Sequence, residues 1–349
     1  MLRNLILGLV MVVAVFFAIG FVLPDKVHVE RSVKVQAPAS QVFALVDGFR
    51  QFEKWSPWAD KDPQMKTQLS GPPLGVGAHY DWSGNQAVGA GSQEIVRSTP
   101  ESQVKTRLKF TGFEGASQAS FDLEPDGELT RVTWSVDIPL GGNPIAHYFG
   151  LMMKGEVGAD YERGLNKLRG LAESGSKTDF AGLHGELVEL KPQTYAYVSG
   201  SSSTDSAAIT KALAAAYAKV NAYMAGSGLK SAGQPISVTR RWDPKANVYE
   251  FDAGIPVDKA DATAPDTLKG KPNEVKIGHS YAGTALKAEH RGAYREMGKT
   301  YALIDAYKAA YALQDNGLSW EQYVVGPGSD PAKTTPEAQL LTDIYVPVK

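Results

Sequence analysis

Residues 5–23, LILGLVMVVAVFFAIGFVL, carry no charged side chain. At a helical rise of about 1.5 Å per residue this run spans about 28 Å, close to the thickness of a bilayer's hydrocarbon core. Two readings are open. A cleaved signal peptide would draw on the small residues Ala18-Ile19-Gly20, but apolar FVL continues past them and the run exceeds a usual signal core. A transmembrane anchor accounts for the whole run. Arg3 and the amino group precede it and the mixed-charge PDKVHVE follows, which directs the N-terminus to the cytoplasm. The expectation is a single-pass anchor at 1–25 in an inner membrane, with the bulk of the chain outside the cytoplasm, on the periplasmic side.

At 349 residues the chain is long for one core, so two domains of ordinary size are expected after the anchor. A formal net charge of −2, a pI near 6.3 and the lack of any basic run give no case for a nucleic-acid partner. There is no cysteine, which excludes disulfides, thiol catalysis and thiolate metal sites. The six histidines are scattered and form no HExxH or HxH pair, so neither a metal nor another cofactor is expected.

The pattern after the anchor is mixed. In VHVERSVKVQAPAS, Val27, Val29, Val33 and Val35 alternate as on a half-buried strand. A Pro, a capping Ser40 and a short helix with Val42, Phe43 and Val46 come next. Strand signals recur from 65 to 140, and LTRVTWSVDI puts Val132, Trp134, Val136 and Ile138 on one face. A long helix carrying Val157, Tyr161, Leu165, Leu168 and Leu171 closes a domain at 26–174. Polar ESGSKTD lies in a linker region, assigned to 175–182. From 183 to 349 the order reads strand, helix, strand, strand, and then the same again. The strands are expected at 234–241, 247–257, about 274–287, 320–325 and 342–348. The helical stripes are Ile209, Leu213, Tyr217, Val220, Met224 and then Tyr294, Met297, Tyr301, Ile304, Tyr311. The fold class is α+β throughout.

In the first domain, APASQVFALV, WSPWADKDP, SGPPLGVGAHYDWSGN, VGAGSQEIVRSTP, TRVTWSV and GADYERGLNKLRGL resemble the polyketide cyclase/START-like (SRPBCC) superfamily. The resemblance implies a helix-grip fold around an apolar cavity for lipid-like or polycyclic molecules; it names a container, not a reaction. In the second, NVYEFDAGIPV, HRGAYREMGKTYALIDAY, SWEQYVVGPGSDP and LLTDIYVPV resemble the GyrI-like effector-binding domain. That domain occurs also at the ligand-binding ends of multidrug-responsive AraC- and MerR-type regulators. The resemblance implies a groove in which an acidic residue among aromatics attracts lipophilic cations, and Glu321 matches that position. No helix-turn-helix segment accompanies it, so a transcription factor is not expected.

Alternation along a strand puts Glu321 and Tyr323 on one face and Trp320 and Gln322 on the other. From spacing alone Glu321 is either a solvated edge residue or a charge anchor inside a pocket. A buried carboxylate costs free energy unless paired, and a cationic ligand would neutralise it and add cation–π contact with nearby rings. Glu321, Tyr294 and Tyr323 are the principal ligand-binding candidates. Trp242, Tyr249 and Tyr281 are secondary ones, each also readable as a core aromatic. In the first domain Trp134 either lines or fills the cavity, with Trp55, Trp58, Tyr80 and Trp82 supplying apolar area. Asp60, Asp62 and Asp81 read as solvated loop residues. No catalytic residue is assigned, since neither a Ser-His-Asp order nor GxSxG is present. His290 reads as satisfying a backbone group rather than acting as a base. The expected function is membrane-anchored binding or sequestration of amphipathic ligands, among them cationic aromatics. The alternatives are a hydrolase using Glu321 and Tyr294 on small activated substrates, and a scaffold for a membrane partner.

Overall fold

The structure, a computed structural model, describes residues 2–113, 115–265, 267–268, 271–326 and 335–349. The tail of the SWEQYVVGPGSDP motif, 327–331, lies outside the described residues. The apolar run forms α1 (Leu2–Val22), whose side chains are exposed along almost its whole length. By length and composition it can cross a membrane, and Gly20 is its buried exception. The chain divides into two compact units, 1–181 with 306–312, and 182–305 with 313–349.

The first unit continues with β1 (Lys26–Val35), α2 (Ala39–Val46), α3 (Phe52–Trp55) and α4 (Pro57–Lys61). Six antiparallel strands follow: β2 (Lys66–Ser70), β3 (His79–Ser83), β4 (Ala90–Thr99), β5 (Gln103–Phe110), β6 (Ser117–Asp126) and β7 (Leu129–Pro139). Their order in the sheet is β1-β7-β6-β5-β4-β3-β2. The chain then enters α5 (Pro144–Ser174), with Asn143 accepting from the Ile145 amide as cap and Pro144 in the first turn. The helix begins about three turns before the Val157 stripe, because its first turns make contacts that a search for the buried stripe does not see. Close approach comes from small residues on α5. A side chain at Gly150 would meet Val27 and Leu140, and one at Gly164 would meet Trp134 and Pro57. The expected Ser40 cap is corrected: Pro38 holds the N-cap position of α2, and the buried Ser40 hydroxyl donates to Asp179.

The second unit contains β8 (Gly185–Leu190), β9 (Thr194–Ser202), α6 (Ser206–Ser227), β10 (Ile236–Asp243) and β11 (Val248–Pro256). After the short pair β12 (Thr267–Leu268) and β13 (Lys271–Pro272) come β14 (Lys276–His279), β15 (Gly283–Arg291), α7 (Met297–Ala310), whose last turn from 306 belongs to the first unit, β16 (Trp320–Val325) and β17 (Leu341–Pro347). The eight-stranded sheet runs β14-β9-β11-β10-β16-β17-β15-β8. Strand-helix-strand-strand therefore occurs twice, as β9-α6-β10-β11 and β15-α7-β16-β17, and the halves meet where β10 pairs β16. Asp205 caps α6 by accepting from the Ala207 and Ala208 amides, and Gly228 ends it at φ 65°. One expected strand, about 274–287, is two. β14 pairs β9 at one margin of the sheet, and β15 lies between β17 and β8 near the other. Gly283, at φ 126°, follows the break.

Candidate functional site

The strand at the seam, β16, brings Glu321 opposite Ser237 of β10. Its even-odd alternation holds: Trp320 stacks on Tyr345 on one side of the sheet, at 4.9 Å and 7° between planes, while Glu321 points to the side covered by the helices. Glu321 is only 6% exposed, so the solvated-edge reading is excluded. Tyr301, from α7, donates its hydroxyl to Oε1 of Glu321 at 2.6 Å. Among the described residues no Lys, Arg or His is within ion-pair distance of this carboxylate. Burial pushes its pKa up to about 7, and the Tyr301 hydrogen bond offsets only part of that rise.

A tyrosine shell surrounds the carboxylate. The Tyr249 hydroxyl is 2.9 Å from Ser237 Oγ, and Tyr217 donates to the Ile236 carbonyl at 2.8 Å. The Tyr323 ring meets Tyr294 edge-on at 5.6 Å and Tyr217 at 6.4 Å. Burial, followed by the nearby Glu321 charge, drives the phenols of Tyr217, Tyr249, Tyr301 and Tyr323 well above the usual range. They therefore stay neutral, offering ring faces and hydroxyl dipoles rather than charge.

The sequence candidates separate cleanly. Glu321, Tyr323, Tyr294 and Tyr249 come together. Trp242 touches Tyr249 edge-on but is half exposed at 53%, at the margin of the group. Tyr281 is not brought to it: it packs with Trp320 on the opposite face of the sheet, because the break after β14 delivers it there. Sequence pattern places Tyr217 and Tyr301 only on helical core stripes. A tyrosine on a buried stripe needs a partner for its hydroxyl, and that is the available signal for both. His290 bonds the Ala293 carbonyl and Thr300, the backbone role expected of it.

The interior of the first unit is different. Trp134 is buried, stacked on Tyr161 at 3.8 Å and on Phe121 at 4.9 Å, with Trp55 and Trp58 edge-on to it. The cavity beside these rings measures about 20 Å³, and Gln93 and Thr106 are its polar lining. That volume holds about one water molecule, and Trp134 is among its lining residues. No cluster of His, Asp or Glu suited to a metal ion occurs among the described residues.

Residues 26–173 match the family model described as polyketide cyclase / dehydrase and lipid transport, and residues 186–349 match that of the GyrI-like small molecule binding domain. No curated protein matches the chain. Among solved structures, the EcmrR C-terminal domain is 14% identical with a TM-score of 0.39, covering 48% of this chain and 98% of its own. An EcmrR–DNA complex is 12% identical with a TM-score of 0.41, covering 59% and 72%. The Aha1 dimer from Colwellia psychrerythraea is 15% identical with a TM-score of 0.32, covering 42% and 97%. At these scores the likenesses carry no functional argument.

Proposed function

From a chain that joins a polyketide cyclase-type domain to a GyrI-like domain, both small-molecule-binding folds, we propose a membrane-anchored protein that binds or sequesters amphipathic ligands, cationic aromatics in the second domain. Helix α1 is the anchor in this reading, with both domains on the periplasmic side and no nucleic-acid partner. The domains run 26–174 and 183–349, joined by a linker at 175–182. One observation carries the ligand chemistry: a buried carboxylate without a cationic partner among the described residues, ringed by neutral tyrosines. An isolated buried charge is costly, and near pH 7 Glu321 avoids that cost only in part by protonation. A lipophilic cation supplies the missing charge, and the rings of Tyr294, Tyr323 and Tyr249 supply cation–π contact of roughly 0.5–2 kcal/mol.

The test is thermal unfolding of wild type and Glu321→Gln with tetraphenylphosphonium or neutral triphenylphosphine oxide. Stabilisation by the cation alone, lost in the Gln variant, is the expected result. Equal shifts in both proteins would sink the cation reading. Glu321 near pKa 7 also fits a general base, the hydrolase alternative, although the hydroxyl bonded to it is Tyr301 and not Tyr294. Turnover of an activated aryl ester, lost in Glu321→Gln, would favour that alternative over binding.

A further inference from the structure

The first three turns of α5 are unlike the rest of the helix. From Pro144 to Met153 they carry no charged side chain apart from His147, and Ile145, Phe149, Leu151 and Met152 are all exposed, Met152 at 68%. From Lys154 onward the exposed positions are mainly charged or polar, among them Glu156, Glu162, Arg163 and Arg169. A contiguous apolar patch on an otherwise polar helix marks a contact surface.

Its position says which surface. Tyr148 donates to the Phe16 carbonyl of α1 at 2.7 Å, and its ring stacks on Phe16 at 4.4 Å and 5°. Two turns of α1 are held this way, for His147 Nδ1 lies 2.7 Å from the Gly20 carbonyl. Only glycine fits there: a Cβ on Gly20 would stand 2.8 Å from Pro144. Phe16 lies about 10 Å inside the apolar run from its Leu23 end, by the rise of the helix. The start of α5 is therefore held at a depth where α1 is still apolar on every exposed side. A second segment reaches the same end of the unit. Gly115, at the β5–β6 hairpin, approaches Pro139 at the end of β7, and neighbouring Phe113 is 77% exposed.

We propose that the first domain is seated on the lipid bilayer itself, with Ile145, Phe149, Leu151, Met152 and Phe113 immersed at the boundary between headgroups and acyl chains as a continuation of the α1 surface. This rests on the reading of α1 as a membrane anchor. Tyr148, held against Phe16, then lies below the headgroups with its hydroxyl bonded to the Phe16 carbonyl rather than left unpaired. The occupant is lipid rather than a second copy of the chain because the patch is continuous with a helix whose whole circumference is apolar.

The absence of cysteine makes the test direct, since an introduced thiol is unique in the chain. Full-length Val13→Cys, Phe113→Cys, Phe149→Cys, Met152→Cys and Glu128→Cys would be nitroxide-labelled and placed in phosphatidylcholine vesicles. Val13 reports on the anchor, and Glu128, exposed at the β6–β7 hairpin, on the opposite end of the same strands. Collision with oxygen would be compared with collision with a water-soluble nickel chelate. The expected result is oxygen-dominated collision at 13, 113, 149 and 152, reversed at 128. Oxygen-dominated collision at 13 with nickel-dominated collision at 113, 149 and 152 would overturn the seating and leave the anchor standing. Low collision with both reagents at 149 and 152, with spin–spin broadening, would put a second copy on the patch and also overturn it. Nickel-dominated collision at 13 would remove the anchor, and the seating with it.

Discussion

The two ligand-family interiors of this molecule solve opposite problems. In the first unit, tryptophan, tyrosine and phenylalanine rings interlock around Trp134 beside a cavity of about 20 Å³. In the second, five tyrosines gather about Glu321, a carboxylate that burial would rather protonate. In the first interior the rings around Trp134 pack against one another. The second holds a buried carboxylate with no cation beside it among the described residues. A family match describes a container equally in both cases, yet only the second proposal names a charge for what goes inside.

The largest expected effect tests how full the first interior is. Trp134→Ala removes the ring shared by Tyr161, Phe121, Trp55 and Trp58 and should destabilise the first unit by about 3–5 kcal/mol, read by urea unfolding. The variant should also gain binding of a small apolar aromatic that wild type rejects. Binding of the same compound by wild type would show that the rings open without help, and the contrast between the units would weaken.

Next in size is the pH dependence of the second unit. The pKa of Glu321 is raised on folding, so its stabilising share is full below the ordinary value of 4.5 and is lost as pH rises through about 7. At about 1.4 kcal/mol per pKa unit the loss by pH 8 is roughly 3 kcal/mol. Asp47 of the first unit, buried beside Ser98 and raised to about 6, acts in the same direction at lower pH. Chemical denaturation from pH 5 to 8 should therefore show Glu321→Gln gaining on wild type as pH rises. A constant difference between the two proteins would mean that Glu321 does not titrate in this range. Cation affinity in wild type should climb over the same interval, since binding selects the ionised carboxylate.

Smaller effects resolve the shell. Tyr301→Phe removes the hydroxyl bonded to Glu321 and should cost about 1.5–3 kcal/mol at pH 8, less at pH 5, while moving the midpoint of cation binding to higher pH. Should the midpoint stay in place, the hydrogen bond is not what holds the charge. Trp242→Ala, at a half-exposed ring, should change stability by no more than about 0.5 kcal/mol and reduce cation affinity only slightly. A large loss of affinity would move the ligand toward the margin of the group.

Much of this was legible in residue order, because the signals involved are local. An uncharged run of helical length, valines alternating through 27–35, and the repeated strand-helix-strand-strand order each need only neighbours along the chain. So does the shared face of Glu321 and Tyr323. Ends were less legible. The start of α5 lies in a stretch that packs on α1 as well as on β1, so its pattern is not that of a purely sheet-facing helix. The continuous strand expected near 274–287 hid a break, and that break carries Tyr281 to the wrong face for the site.

By itself the sequence determined that an apolar helix precedes two α+β domains, that the second carries Glu321 on a strand face with Tyr323, and that thiol chemistry is absent. Period-two alternation chooses a face, and a charge-free run chooses a solvent, whatever lies far away in the chain. Only the tertiary structure decided which of the fifteen tyrosines surround Glu321 and which hydroxyl bonds it. Those partners arrive from α6, α7, the turn before α7, β11 and β16 itself, and strand order at the seam, not spacing, sets them side by side. It likewise decided that Trp134 packs among Tyr161, Phe121, Trp55 and Trp58, since ring packing is a property of all of them together.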